Sequence, residues 1–179
     1  AFPRCWPNLG PGVMAAFLGA RALSVPGTVW FEPDVLREVH DIQFCYQPEG
    51  AWWRRAAELT KAAVDAWGDM VQVGHTDLGG NLDILASFRT TQNLLIDLYD
   101  APEEVARLVD EVTRLWLRYY DELNAIIAPT CPGSNCWAPI WSSGTTYMLQ
   151  CDFSYMISPA MFERFAVPDL VACCHHLDH

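Results

Sequence analysis

The chain has 179 residues, of which 51% are hydrophobic and 18% charged, and its formal net charge is −11. This composition and length predict one folded domain over residues 1–179 with a hydrophobic core, and the acidic charge excludes a nucleic-acid-binding module, which needs a basic surface. No run of about 18 uncharged apolar residues occurs, so no membrane span is expected.

The hydrophobic pattern predicts alternating helices and short strands. The predicted helices cover 11–20, 50–67, 82–88, 91–100, 101–127 and 158–178, the last with a break near Pro168, and the segment 34–42 is expected to form a helical turn capped by Asp34. The predicted strands cover 28–33, 70–75, 136–141 and 147–151. Within this order, the helix over 101–127 has the most continuous apolar stripe, with a proline and two glutamates in its first turn.

Short apolar strands between long helices favour parallel strands joined by helical crossovers. Such strands are covered on both faces, which agrees with their lack of strict alternation. The strands are too few to close a barrel, so we expect an α/β fold that is a partial (β/α)8 TIM barrel. The abrupt start at Ala1 and the ending "CCHHLDH" lead us to expect truncation at both ends. The open edges of such an arc predict a homodimer or another chain that completes the barrel.

Asp152 is the most informative single residue, because it places a carboxylate at the end of the apolar strand 147–151. Ligands of parallel α/β folds bind just past the carboxyl ends of the strands. There Asp152 could hold a cationic or N–H-bearing substrate, or transfer a proton if its pKa were raised. The alternative is a turn in which its side chain accepts the N–H of Ser154.

His75 and Asp77 follow the strand 70–75 and form a second polar group at a strand end. His75 is a candidate acid or base, and Asp77 could orient its ring. The alternatives are a histidine hydrogen-bonded to a loop carbonyl and an Asx turn ahead of Gly79 and Gly80. The candidate catalytic residues are therefore Asp152, His75 and Asp77.

Trp141 and Ser142 come at the end of the strand 136–141, where an indole could line the pocket of a flat aromatic ligand. Tyr147 and Asn81, in the neighbouring segments, complete the candidate substrate-binding set. Core packing is the alternative for each aromatic residue.

The seven cysteines are irregularly spaced in a chain that is too large and apolar to need disulfides, which favours a reduced, cytoplasmic setting. His175 and His179 have an i, i+4 spacing that can bind zinc. However, the adjacent Cys173 and Cys174 point in different directions on a helix, so no metal site is predicted.

Two segments, "NLLIDLYDAPEEVARLVDEVT" (93–113) and "YMLQCDFSYMISPAMFERFAVPDL" (147–170), resemble those of the uroporphyrinogen decarboxylase superfamily. The segments "PNLGPGVMAAFLGA" and "VQVGHTDLGGNLDILASF" occur in the expected order, so the resemblance spans nearly the whole chain. It implies a (β/α)8 barrel and, for true decarboxylases, removal of acetate carboxyls from a tetrapyrrole in porphyrin biosynthesis without a cofactor. Asp152 lies where these enzymes have a polar residue that contacts the substrate.

The sequence also departs from that family. The stretch "WPNLGPG" lacks the aspartate that the decarboxylases have on an early strand, and no tyrosine lies between Thr76 and Leu98, where they use one. Relatives in the superfamily transfer methyl groups to or from a corrinoid or a thiol with zinc. We expect a decarboxylase-like enzyme acting on a carboxylated small molecule; a zinc-dependent methyltransferase and a non-catalytic small-molecule-binding barrel are the alternatives.

Overall fold

The structure is a computed structural model that describes residues 2–177. Its seven α-helices, α1 to α7, span Met14–Phe17, Ala51–Trp67, Asn81–Arg89, Thr91–Asp100, Pro102–Ile127, Pro159–Phe165 and Val167–His176. Its six strands, β1 to β6, span Arg4–Cys5, Arg21–Val25, Thr28–Glu32, Gln72–Val73, Ser134–Asn135 and Trp141–Ser142. Two short 3-10 helices cover Val39–Asp41 and Asp152–Met156.

The predicted partial (β/α)8 barrel is wrong. Over residues 2–177, the strands form three separate two-stranded sheets and no continuous or closed parallel sheet. Only β1 and β4 pair in parallel, while β2 with β3 and β5 with β6 are antiparallel hairpins. A partner that completes a barrel is therefore not proposed, and pairing with a second copy stays a prediction.

The segments 136–141 and 147–151 explain the error, because neither is a strand that runs in parallel with β4. Pro139 has no N–H to donate to a ladder, and the chain reverses there, so Trp141 pairs back onto Asn135. Residues 147–151 pair with no strand among the described residues, and the N–H of Met148 donates instead to the Cys136 sulfur at 3.3 Å. An apolar run of this length fits an irregular buried segment as well as a strand.

Most of the predicted helices are confirmed. The helix predicted over 82–100 breaks where expected, at Thr90, whose backbone has φ = 65° and whose hydroxyl accepts the N–H of Asn93 at the start of α4. The last helix divides into α6 and α7 one residue before Val167, close to Pro168. The helical turn predicted within 34–42 is present as the 3-10 turn Val39–Asp41, but Glu38 and not Asp34 stands at its start.

Helix α5 is the centre of the core. One side of it is buried along its whole length, with a residue every third or fourth position: Val105, Leu108, Val112, Trp116, Tyr119 and Leu123. The helices α2, α3, α4 and α7 all pack against it. Within the described residues, no helix is both long and apolar enough to cross a membrane. The loop after β4 contacts the buried side of α5, because the Trp116 indole donates to the carbonyl of Gly79.

A buried ion pair joins α3 to α4. The guanidinium of Arg89 donates to the Asp97 carboxylate through Nε at 2.6 Å and Nη2 at 3.0 Å. It also donates to the backbone carbonyl of Arg37. Both side chains are less than a tenth exposed. Because a buried charge is costly without its partner, this pair constrains how the two helices meet at Thr90.

Asp97→Ala should lower the free energy of unfolding by up to about 3–5 kcal/mol, because it leaves the buried Arg89 charge with only the exposed Glu38 carboxylate, 3.6 Å away, as an acidic partner. Asp110→Ala, which removes an exposed partner of Arg114, is the matched control and should cost less than about 1 kcal/mol. Urea denaturation of both variants measures the difference. Equal losses would contradict a constraining role for the buried pair.

Candidate functional site

A cleft between the turns after β4 and the 3-10 helix 152–156 has a volume of about 600 Å³, which is within the range of small-molecule sites. Four aromatic side chains form its walls: Trp30, Phe31, Phe153 and Tyr155. Trp30 is 59% exposed and Tyr155 is 85% exposed, although both are large aromatic residues. Exposed rings around a concave surface are available to pack against a ligand.

Two backbone turns form part of the lining of the cleft. Gly12 and Gly79 both line it, and a Cβ atom added to Gly79 would lie 2.7 Å from the Gly12 Cα atom. Gly79 also has φ = 86°, which side chains rarely tolerate. The two turns can approach this closely only because residue 79 is a glycine, whereas a Cβ atom added to Gly12 would make an ordinary contact of 3.8 Å with the Gly79 Cα atom.

Asp83, on the first turn of α3, links the two sides of the cleft. Its Oδ2 accepts the backbone N–H of Asp152 at 2.9 Å, and its Oδ1 accepts that of Phe153 at 2.8 Å. Burial raises the pKa of Asp83 to about 6; these two hydrogen bonds oppose the rise, while the charges of Asp152 and Asp77 add to it. Asp83 therefore exchanges its proton near neutral pH.

Asp152 lines the same cleft and is exposed to it, at the start of the 3-10 helix 152–156. The predicted strand before it is absent, but the residue does stand at the mouth of a pocket. The predicted alternative, a turn toward Ser154, is not the contact made, because the N–H of Ser154 donates to the carbonyl of Cys151. The Asp152 carboxylate is thus free of that backbone contact and can meet a ligand.

Asp77 lies behind the cleft rather than in its lining. Its Oδ1 accepts the N–H of Gly79 at 3.0 Å and the side-chain amide of Gln150 at 3.1 Å. This is the Asx turn that the sequence offered as an alternative. Burial raises the pKa of Asp77, while hydrogen bonds lower it and the charge of Asp152 adds to the rise. Asp77 shapes the turn and does not orient His75.

His75 is separated from the carboxylates and points into the core. Its ring stacks on Tyr120 of α5, with the ring centroids 4.4 Å apart and an interplanar angle of 10°. The residue is 1% exposed, and neither ring nitrogen has a hydrogen-bond partner of standard geometry. Burial lowers its pKa to about 4, which the nearby Asn124 side chain only partly opposes. His75 is therefore neutral near pH 7, and its role as proton donor stays an untested prediction.

The predicted substrate-binding residues do not meet at the cleft. Trp141 and Ser142 form β6, and Trp141 lines a different cavity of about 420 Å³ beside Met70 and Val71, which precede β4. Asp77 and Asp83 follow β4. Trp141 and Ser142 therefore lie at the opposite end of that strand from these two aspartates. The reversal of the chain at Pro139 places Trp141 and Ser142 at that end of β4.

Tyr147 and Asn81 are both buried beneath the cleft. The Tyr147 hydroxyl bonds the backbone on either side of Asp77. Asn81 is the first residue of α3, and its amide nitrogen donates to the Thr113 hydroxyl of α5 at 2.8 Å. Both residues support the polar turn of 76–81 without lining the cleft.

Asp83 and Gln150 are the functional candidates that the sequence did not single out. Asp83 looks like an ordinary acidic residue in the first turn of a helix, where a carboxylate favours the helix dipole. One feature of the sequence could have indicated Asp83. The N-cap residue of α3 is Gly80, which has no side chain, and the Asp83 carboxylate in the same turn is free for other partners. Its actual partners lie 69 and 70 residues away in the sequence, which no local pattern reveals.

Among residues 2–177, no group of three or more His, Cys, Asp or Glu side chains has an arrangement that could bind a metal ion. His175 belongs to α7 and lies within this range. His179, its i, i+4 partner in the sequence, lies outside the described residues.

Asp169 of α7 is a buried acid next to Asn81. Its Oδ1 has no hydrogen-bond partner, and neither does the Asn81 Oδ1. Burial raises the pKa of Asp169 to about 7, against opposing hydrogen bonds from the backbone and from the Asn81 side chain. A proton on Asp169 would supply the donor that these two buried oxygens lack.

Asp169→Asn should stabilise the fold at pH 8 by on the order of 2–4 kcal/mol and change little at pH 4. The folded-state pKa lies above the unfolded value, so the folded wild type binds a proton that the unfolded chain releases, and its stability falls as pH rises from about 4 to 7. Denaturation curves at several pH values measure this. Asp65→Asn, an exposed site, is the control; parallel pH curves for wild type and Asp169→Asn would contradict the assignment.

Comparisons with protein-family models, curated proteins and solved structures find no match to this chain. The resemblance to the uroporphyrinogen decarboxylase superfamily therefore stays a prediction. The case for a function rests on the cleft and its carboxylates.

Proposed function

We propose that this protein is an enzyme that binds a flat small molecule bearing N–H groups or positive charge in the cleft and transfers a proton to it. Asp152 accepts hydrogen bonds from the ligand, and Asp83 is the acid. One observation is central to this proposal: the Asp83 and Asp152 side chains line the same aromatic-walled cleft of about 600 Å³.

The charge of the cleft selects the ligand. Of the described residues that line it, none is basic, while two are aspartates. An exposed carboxylate such as Asp152 attracts N–H donors and cations and repels anions. The rings of Trp30 and Tyr155 supply flat apolar surfaces, and they also attract cations through their faces. A planar ligand with nitrogen donors on one side fits both features.

Asp83 is suited to proton transfer because its pKa of about 6 lies close to neutral pH. An ordinary aspartate is almost fully ionised at that pH and is a poor acid. The proposal replaces His75 with Asp83 as the proton donor, since His75 is buried in the aromatic core.

The family resemblance implies a pyrrole substrate, and decarboxylation is the reaction we propose. A proton from Asp83 adds to a ring carbon, the bond from the acetate side chain to its carboxylate breaks, and carbon dioxide leaves. The electron pair of that bond neutralises the ring, and the resulting methylene takes a proton from water while the ring returns its own to Asp83. The pyrrole N–H groups would face Asp152, and the substrate carboxylates would point away from the acidic cleft.

Two alternatives remain as outcomes of the test. Methyl transfer to a thiol or a corrinoid with zinc is implied by the methyltransferases of the same superfamily. Ligand binding without turnover is the non-catalytic alternative. We also propose a cytoplasmic setting, because the seven cysteines are free thiols and a reducing compartment preserves them.

Asp152→Asn should weaken binding of a porphyrinogen about 10- to 100-fold, because the amide loses the charged acceptor. Asp83→Asn should lower kcat by a larger factor than it lowers the affinity; some affinity is also lost, because the amide keeps only one of the two oxygens that accept the N–H groups of Asp152 and Phe153. Calorimetry measures the binding, and fluorescence of the product after oxidation measures turnover. The wild-type rate should fall as pH rises through about 6, because Asp83 loses its proton, and Asp83→Asn should lack this dependence.

Asp65→Asn, an exposed aspartate on α2, controls for the loss of one negative charge and should match the wild type. The proposal is wrong if the wild type neither binds nor converts the porphyrinogen. Methyl transfer would replace it with the first alternative, and binding that survives without any turnover would replace it with the second.

A further inference from the structure

The turn that supports the cleft is attached to two aromatic side chains of the core. The Tyr147 hydroxyl accepts the N–H of Leu78 at 2.6 Å and donates to the carbonyl of Thr76 at 3.1 Å. The indole N–H of Trp116 donates to the carbonyl of Gly79 at 3.2 Å. Together they make three hydrogen bonds to three residues, Thr76, Leu78 and Gly79, of the four-residue turn 76–79.

We propose that the Tyr147 hydroxyl and the Trp116 indole are positioning groups that fix the turn 76–79, and with it Asp77, beneath the cleft. The use of this turn in ligand binding rests on the function proposed above. The positioning itself rests on the contacts alone.

The Tyr147 ring has little freedom to move. It meets the Trp116 ring edge-on, with centroids 4.9 Å apart and an interplanar angle of 89°, and it stands edge-on to Tyr120 at 6.0 Å. Trp116 and Tyr120 themselves are stacked on α5. A hydroxyl on so confined a ring is a fixed point for the backbone that it bonds.

The turn transmits this position to the cleft through Asp77. The Asp77 backbone carbonyl accepts the N–H of Val13 at 2.9 Å, which holds the turn containing Gly12 in place. The Asp77 side chain accepts the N–H of Gly79 and the amide of Gln150. Gly12, Gly79 and Gln150 all line the cleft. Displacing the Tyr147 hydroxyl would therefore loosen three parts of the lining together.

The sequence hypothesis placed Tyr147 against the substrate. Its side chain is instead buried, 6% exposed, and separated from the cleft by the turn that it bonds. The proton of the hydroxyl is committed to the backbone, since it is donated to the carbonyl of Thr76 while the oxygen accepts the N–H of Leu78. Burial raises its pKa well above the ordinary value, so it stays protonated and keeps both bonds at physiological pH.

The test compares Tyr147→Phe with Tyr120→Phe. Each variant removes one buried hydroxyl from the same aromatic cluster, but the Tyr120 hydroxyl donates to the carbonyl of Thr146 and does not contact the turn. Tyr147→Phe should speed hydrogen exchange of the Leu78 amide about tenfold or more, because a buried N–H loses its partner. Tyr120→Phe should leave that amide unchanged.

A second measurement distinguishes positioning from a general loss of stability. Burial raises the pKa of Asp77, so loosening the turn should hydrate the carboxylate and move its titration midpoint down toward the ordinary value. Carbon-13 NMR of the labelled side chain follows this in Tyr147→Phe and Tyr120→Phe. Trp116→Phe, which removes the bond to Gly79, should give the same downward shift and serves if Tyr147→Phe does not fold.

Neither measurement needs a ligand, so the positioning is tested even if the proposed reaction fails. Absence of porphyrinogen binding by the wild type would overturn only the proposed function. Identical Leu78 exchange and identical Asp77 midpoints in the Tyr147, Trp116 and Tyr120 variants would overturn the positioning itself.

Discussion

The structure of the cleft depends on one carboxylate that bonds two backbone N–H groups from a distant part of the chain. Asp83 on α3 holds the start of the segment 152–156, and that segment supplies Asp152, Phe153 and Tyr155 to the lining. A partly dehydrated carboxylate needs such donors, and they need an acceptor, so each side stabilises the other. A proton that makes Asp83 an acid also weakens these bonds, which couples proton transfer to the fit of this wall.

The hydrogen bonds from Asp152 and Phe153 to Asp83 hold the segment 152–156 in place effectively, because the turn 76–79, which precedes Asp83 in the chain, rests on a rigid support. The residues between β4 and α3 are bonded to an aromatic cluster on α5, a 26-residue helix with one face buried from end to end. Close contact between Gly12 and Gly79 then leaves the turn little room to shift. Chemistry by a small number of carboxylates requires this kind of fixed geometry, because a displacement of about 1 Å can cost about 100-fold in rate.

Features that depend on residues close together in the sequence could be predicted, whereas features that depend on residues far apart in the sequence could not. The helices α2 and α5 follow from apolar spacing, and the break at Thr90 and the start of α6 follow from local capping. The barrel was wrong because short apolar runs do not specify their pairing, and Pro139 reversed one of them. Asp152 was singled out from its position after an apolar run, whereas nothing local in the sequence indicates the contacts of Asp83, because both of its partners are remote. The direction of the His75 ring, which stacks on Tyr120 of α5, could not be predicted, because a histidine after a strand can face a helix as readily as a ligand.

The proposed chemistry requires that Asp83, in the wall of the cleft, is partly shielded from water and acts as an acid. Direct titration of the Asp83 carboxyl is the measurement that tests this requirement most directly. Carbon-13 NMR of the labelled Asp83 carboxyl in the full chain should give a midpoint near 6. A midpoint near the ordinary aspartate value of 3.8 would mean that water reaches the group freely. In that case Asp83 could not serve as the acid.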